Sequence, residues 1–127
     1  MQENHLFEYA VIRVVPKVER EEFINVGVIL YCKKLKFLQT LFHINNTRLH
    51  SFSTGLDVAE LRDYLLSFDR ICKGEKGGGP IAKLDIASRF RWLTATRSTV
   101  VQTSKVHPGF CADAQRTLDK LQEQLVL

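Results

Sequence analysis

The chain of 127 residues has few of the features that mark exported, membrane-bound or metal-dependent proteins. Its three cysteines, Cys32, Cys72 and Cys111, lie far apart and form no C-x-x-C pair, which argues against a disulfide framework and a zinc site. No apolar run approaches the roughly 20 residues of a transmembrane helix. The first residues also lack the basic and apolar regions of a signal peptide. We therefore predict a cytoplasmic protein with no membrane attachment.

The sequence motifs of common enzyme classes are also missing. No G-x-S-x-G nucleophile elbow occurs. In the run Gly77-Gly78-Gly79 the nearby lysine precedes the glycines, whereas a phosphate-binding loop requires it to follow them. No second histidine stands at metal-ligand spacing from His107. The sequence therefore predicts no catalytic residue, no metal and no cofactor, and it favours a non-enzyme.

Charge and composition limit the possible partners only weakly. The net charge is +4, but the lysines and arginines are spread along the whole chain. A dedicated nucleic-acid binder usually concentrates them in one patch, so nucleic-acid binding remains an alternative with little support. Hydrophobic residues make up 45% of the chain, which is ordinary for a globular protein. We predict a single domain over residues 1–127, with a flexible glycine-rich loop near residues 74–80.

Three apolar runs in the first part of the chain predict an antiparallel meander. The run at residues 7–15 is apolar on both faces and ends at Pro16, which has no N–H for a ladder. The third run is "FLQTLFHI". In the second run Asn25 and Gly27 share one face, and a glycine inside a strand often marks a bulge or a close backbone approach. The opposite face of that run is predicted to be continuously apolar, through Ile24, Val26, Val28, Leu30 and Cys32.

Helical spacing predicts three helices after this meander. Asp57 and Glu60 have the spacing of an N-cap and its partner, and Gly74 is a plausible end for that helix. Pro80 suits the first turn of a second helix, and a third runs from about residue 113 to residue 126. Residues 98–106 add a late strand. The predicted fold is α+β, with a three- to four-stranded, mostly antiparallel sheet and about three helices packed mainly on one face.

Six polar residues are candidates for binding an anion or a partner: Arg13, Asn25, Arg97, Ser98, Thr99 and His107. Arg13 lies within a strand, so it needs either a carboxylate among Glu19, Glu21 and Glu22 or an external ligand. The run of arginine, serine and threonine offers donors suited to phosphate or carboxylate. The histidine precedes a Pro-Gly turn signal, so it serves either the turn or a site. Strand alternation divides these residues between two faces, and their convergence in one site stays open.

Four segments of the chain together resemble the bacterial family called domain of unknown function 3037. They are "YAVIRVVP", "EREEFINVGVILY", "RFRWLTATRSTVVQTSKVHPG" and "LDKLQEQLV", and the resemblance extends over about residues 7–126. The family has no assigned activity, so it supplies no catalytic residues. Its members are small stand-alone proteins that are often encoded next to a HipA-like kinase. The resemblance therefore implies such a kinase as the protein partner or a toxin–antitoxin-like pair.

Three functions are compatible with these observations. The first is a small cytoplasmic interaction or regulatory protein that is not catalytic and has a HipA-like kinase as its partner. The second is an enzyme or binding protein for a phosphorylated or anionic small molecule. The third is nucleic-acid binding. A homodimer through the leucine stripe of the last helix is possible in each case.

Overall fold

The computed structural model describes residues 4–53, 55–97 and 99–127 of the chain. The strands are β1 (His5–Val14), β2 (Ile24–Cys32), β3 (Phe37–Phe42), β4 (Val101–Thr103) and β5 (His107–Cys111). The helices are α1 (Asn46–Phe52), α2 (Val58–Lys73), α3 (Ile86–Leu93) and α4 (Ala114–Leu125). This confirms an α+β fold with an antiparallel sheet. Within the described residues the sheet has five strands, and four helices accompany it, so the predicted three to four strands and three helices were too few.

Two elements that the sequence analysis missed account for this difference. Helix α1 is short, and its N-terminus is capped by Asn45, whose side chain accepts the backbone N–H of Arg48 at 3.0 Å. Strand β5 contains Pro108, whose neighbour Gly109 makes a turn signal with it, but proline is tolerated at the edge of a sheet. Pro80 begins a short 3₁₀ helix, Pro80–Lys83, and α3 begins only at Ile86.

The sheet is ordered β3-β2-β1-β4, and β5 also pairs with β1. Strands β4 and β5 follow the same edge of β1, with β4 opposite Ile12–Val14 and β5 opposite His5–Tyr9. Ser104 bridges the break between them. Its backbone N–H donates to Val11 O at 2.8 Å, and its hydroxyl accepts the Val11 N–H at 2.8 Å. The side chain thus replaces a missing carbonyl and keeps this buried backbone donor satisfied.

Each face of the sheet carries its own apolar core. Helices α1, α2 and α3 cover the front face, which we define by Ala10, Ile12 and Val14, and α4 covers part of the back face, defined by Phe7, Tyr9 and Arg13. Three of the four helices therefore lie on one face, in line with the prediction. The fully buried side chains of the front core include Ile12, Val14, Ile29, Leu49, Phe90 and Leu93. Those of the back core include Val28, Leu30, Cys32 and Leu118.

A β-bulge in β2 determines which of its side chains enter each of the two cores. Ile12 pairs with Gly27 but Arg13 pairs with Asn25, so Val26 is an extra residue in β2. Ile24 and Val26 consequently pack in the front core, whereas Val28, Leu30 and Cys32 pack in the back core. The prediction of one continuous apolar face was therefore wrong, and the prediction that Gly27 marks a bulge or close approach is confirmed. The bulge turns Asn25 to the back face beside Arg13, whereas Gly27 lies opposite Ile12 on the front face, so the prediction that Asn25 and Gly27 share one face was wrong.

Backbone geometry in the glycine-rich segment is partly regular. Gly74 ends α2 in the left-handed conformation, with φ at 70°, and its N–H bonds to carbonyls of the last helical turn. Residues Lys76–Gly78 then form one turn of 3₁₀ helix. The mobility expected for residues 74–80 stays a prediction.

Candidate functional site

Arg13 and Asn25 form the polar centre of the back face. They are cross-strand partners in the β1–β2 ladder, so their side chains emerge side by side. The guanidinium of Arg13 lies over the ring of Phe23, 4.0 Å from its centroid. This stacking holds the cation at the sheet surface, where one side rests on an apolar ring.

The charge of Arg13 has no carboxylate partner among the described residues. Glu22, one of the acids that could have paired with it, instead bonds to Arg20 at 2.6 Å. Partial burial lowers the pKa of Arg13 from its usual value, although an arginine remains charged at any physiological pH. The internal arginine–glutamate tie that the sequence allowed is thus not formed, and the cation remains available to a ligand.

The end of α4 closes one side of this polar centre. Asn25 donates from Nδ2 to the carbonyl of Leu125 at 3.0 Å. Gln122 also lies on the buried side of α4 and is only 6% exposed. Four buried side-chain atoms have no hydrogen-bond partner among the described residues, and three of them belong to Arg13 (Nε), Asn25 (Oδ1) and Gln122 (Oε1). One donor and two acceptors are therefore free for water or for a polar ligand.

The side chains of Arg97 and Thr99 donate hydrogen bonds to backbone carbonyls near the end of α3 and in β4. The guanidinium of Arg97 stacks on Trp92, 4.3 Å from the ring centroid, and donates to the carbonyls of Trp92 and Leu93. It thereby caps the C-terminus of α3, where a cation is favourable. The hydroxyl of Thr99 donates to Val101 O at 2.6 Å, which supports the turn into β4. Ser98, the residue between them, lies outside the described residues.

His107 lies on the back face near the middle of β1, away from Arg13. It pairs with Tyr9 across β1 and β5, and the two rings are 5.3 Å apart. Tyr9 and Arg13 are four residues apart on one strand, which corresponds to about 13 Å. Of the five predicted residues that the structure describes, the fold therefore brings together only Arg13 and Asn25. Arg97 borders the front-face helices, where it lies near Tyr64 and Phe68, so no single site combines all the candidates.

Reactive thiols and metal ligands offer no further site in the described ranges. No group of three His, Cys, Asp or Glu side chains lies close enough to hold a metal ion there. All three cysteines are buried and unpaired, and burial raises the pKa of Cys72 to about 12. Buried thiols of this kind are poor nucleophiles because the thiolate is the reactive form. No helix of the described part is both long and apolar enough to cross a membrane.

A second surface feature was not predicted from the sequence. Leu6 and Phe110 are direct cross-strand partners on the front face of β1 and β5, and they are 54% and 71% exposed. Each residue alone is an ordinary exposed apolar side chain. Only their pairing, which depends on the unpredicted strand β5, makes a patch.

Comparison with known proteins gives one match. The model of a family described as "Protein of unknown function (DUF3037)" matches residues 9–126. This confirms the family resemblance found in the sequence. No curated protein matches the chain. No solved structure matches it either.

Proposed function

The chain belongs to the DUF3037 family, and from this membership and its surface we propose that it is a non-catalytic interaction protein of the cytoplasm. We propose a HipA-like kinase as its partner. The observation that carries the proposal is the exposed pair of Leu6 and Phe110. Adjacent exposed apolar side chains are typical of protein-interaction sites, because a partner that covers them removes apolar surface from water.

The residues around this pair are arranged as in a protein interface, with polar side chains beside apolar ones. Glu8 lies on the same face and pairs with Arg91 of α3 through two bonds, at 2.7 and 2.8 Å. This ion pair gives the apolar pair a polar border, and interfaces commonly combine an apolar centre with a polar rim. Aromatic residues are frequent energetic anchors at such centres, and Phe110 fits that role.

Strand β5 favours recognition through side chains rather than through its backbone. It lies at an edge of the sheet and has β1 as its strand partner. Pro108 removes one N–H from this short strand, which makes it a poor template for an added strand. We therefore place the contact with the kinase on Leu6 and Phe110.

Replacing Phe110 with serine is expected to weaken binding to the kinase at least about tenfold, as for an aromatic anchor of an interface. The measurement is isothermal titration calorimetry with the purified HipA-like kinase encoded next to this chain. Leu84→Ser is the matched control, because Leu84 is also a large apolar side chain and is 42% exposed. Equal affinities of Phe110→Ser and the unmodified chain would exclude Leu6 and Phe110 as the binding site. No association at micromolar concentration would exclude the kinase as the partner.

A second candidate function, binding of a small anion, is favoured by the free charge of Arg13. Its guanidinium is held on Phe23 without a carboxylate, and Asn25 lies next to it. A phosphate or carboxylate oxygen at this point would receive a charge-assisted hydrogen bond.

Titration with inorganic phosphate is expected to shift the NMR signals of the Arg13 and Asn25 side chains. Arg13→Gln should lower the phosphate affinity about tenfold, since hydrogen bonds to charged groups contribute roughly 1.5–3 kcal/mol. Arg20→Gln is the control, because Arg20 is an exposed arginine already paired with Glu22. Signals that stay unchanged at tens of millimolar phosphate would exclude this function.

A further inference from the structure

The outer edge of β3 has free backbone groups. Strand β3 has β2 as its strand partner in the described part of the chain. The N–H of His43 donates to Val26 O at 2.7 Å, so the backbone groups of His43 point toward β2. Because the direction of backbone groups alternates along a strand, those of Leu38, Thr40 and Phe42 point away from β2.

The sequence of β3 contains none of the residue types that usually protect an edge strand. Natural edge strands are commonly blunted by proline, by lysine or by an inward charge. Strand β3, with the sequence FLQTLF, contains neither proline nor any charged residue. In contrast to β5, it can therefore accept an added strand along its length.

Helix α2 overhangs this edge on the front face. Arg62, Leu66 and Asp69 of α2 lie beside Phe42 of β3, and Lys73 follows Asp69 one helical turn later. Thr40 anchors the helix to the strand, because its hydroxyl donates to Asp69 Oδ1 at 2.8 Å. Between helix and strand lies a cavity of about 340 Å³, lined by Phe42, Ile44, Leu65 and Leu66, with Arg62 and Asp69 at its border. The cavity accommodates an apolar side chain.

The charges beside the cavity favour an acidic occupant. Both oxygens of Asp69 are engaged, one by Thr40 and the other by Lys73 at 2.8 Å. Arg62 is exposed and makes only a 3.3 Å hydrogen bond to the Asn46 side chain. At the other end of β3, the turn from β2 contains Lys33, Lys34 and Lys36. Basic groups thus stand at both ends of the edge.

We propose that β3 and α2 form a docking groove for an extended, acidic segment of a partner protein. The segment adds to β3 as a further strand, inserts one apolar side chain into the cavity and places a carboxylate near Arg62. Backbone hydrogen bonds supply affinity in this mode, and the side-chain cavity supplies selectivity. The groove lies at the opposite edge of the sheet from Leu6 and Phe110, so this inference does not depend on the proposed function.

Pairing of β3 with β3 of a second copy is disfavoured by charge. In an antiparallel pair about a two-fold axis, the start of one strand lies beside the end of the other. The lysines of each β2–β3 turn would then approach Arg62 of the other copy. Like charges placed together in an interface oppose association, whereas an acidic segment is attracted by the same groups.

Selection from a library of random eight-residue peptides tests the groove. We expect enrichment of sequences that combine an apolar side chain with acidic residues and contain no central proline. On binding, the amide protons of Leu38, Thr40 and Phe42 should become protected from hydrogen exchange. Methylation of the peptide's central backbone nitrogens should abolish binding, because it removes the donors of the added strand.

Variants of α2 distinguish peptide binding in the groove from nonspecific peptide binding. Leu66→Ser and Arg62→Gln should each weaken the selected peptides about tenfold, which corresponds to about 1.4 kcal/mol. Tyr64→Ser is the matched control, because Tyr64 is an exposed apolar residue on the other flank of α2. Phe110→Ser should leave peptide binding unchanged, whatever its effect on the kinase.

Three outcomes would overturn the proposal. The first is a selection without enrichment of acidic, apolar sequences. The second is enriched peptides that bind Leu66→Ser as tightly as the unmodified chain or that leave the three β3 amides unprotected. The third is a dimer, detected by analytical ultracentrifugation, that is lost in Leu66→Ser, because it would assign the edge to a second copy.

Discussion

Gly27→Ala is expected to lower the free energy of unfolding by about 3 kcal/mol, at the upper end of the usual cost of overpacking. A Cβ atom at this position would lie 2.8 Å from Cδ1 of Phe42 and closer still to the carbonyl oxygen of Leu41. That oxygen belongs to the backbone of the β2–β3 ladder, so it cannot rotate away as a side chain could. Relief requires a shift of β3 or of the bulge itself.

Favourable effects of alanine are too small to offset this clash. Loss of backbone freedom in the unfolded chain stabilises a compatible Gly→Ala change by about 0.4–1 kcal/mol. The preference for alanine over glycine in strands adds a term of at most about 1 kcal/mol. The steric term therefore decides the sign at Gly27.

Urea denaturation measures this effect through the transition midpoint and slope. Gly55→Ala is the matched control, because a Cβ at Gly55 would meet no atom within 4 Å. We expect that control to change the free energy of unfolding by less than about 0.5 kcal/mol, as for ordinary surface substitutions. Equal stabilities of the two variants would show that β3 yields to the added methyl group.

The elements that the sequence predicted well are those with local signals. Helix α2 begins after Asp57, whose side chain accepts the Glu60 N–H, and ends at Gly74, as the spacing of these residues indicated. Strand β1 is apolar on both faces because both faces are covered by cores. In each case the information lies in residues a few positions apart, where capping and alternation operate.

Features that depend on the pairing of distant segments were not predictable in detail. The sequence marked Gly27 as unusual but did not indicate which residue becomes the extra one in the bulge. Alternation counted through that bulge put Val26 and Val28 on one face, whereas they enter different cores. Strand β5 was missed because Pro108-Gly109 is locally a turn signal, and only pairing with β1 makes it a strand.

The candidate site shows the same division between local and distant information. Arg13 and Asn25 lie on consecutive strands of one hairpin, but the bulge at Val26 makes them partners, because an unbroken register would place Val26 opposite Arg13. Arg97 and His107 are only ten residues apart in sequence, yet the break at Ser104 and the cap of α3 direct them to different parts of the surface. Polar residues that are close in sequence therefore did not indicate a common site.

Between about pH 8 and about pH 11, Cys72 alone is expected to reduce the free energy of unfolding by roughly 2–3 kcal/mol. Burial beneath α2 raises the pKa of its thiol from 9.0 to about 12, and the nearby Asp69 carboxylate acts in the same direction. The folded state therefore retains this proton at pH values where the unfolded chain has lost it. The stabilisation is complete below the unfolded pKa and declines as the pH rises toward the folded one.

Cys72→Ala isolates this contribution from the other groups that titrate in alkaline solution. The variant loses the packing of a fully buried side chain at every pH, whereas lysines and tyrosines titrate in both proteins and cancel in the difference. The gap in unfolding free energy between the two proteins should therefore shrink by roughly 2–3 kcal/mol from pH 8 to pH 11, as measured by urea denaturation at each pH. A gap that stays constant would mean that the thiolate is tolerated in the folded state, because water or a cation reaches the front core beneath α2.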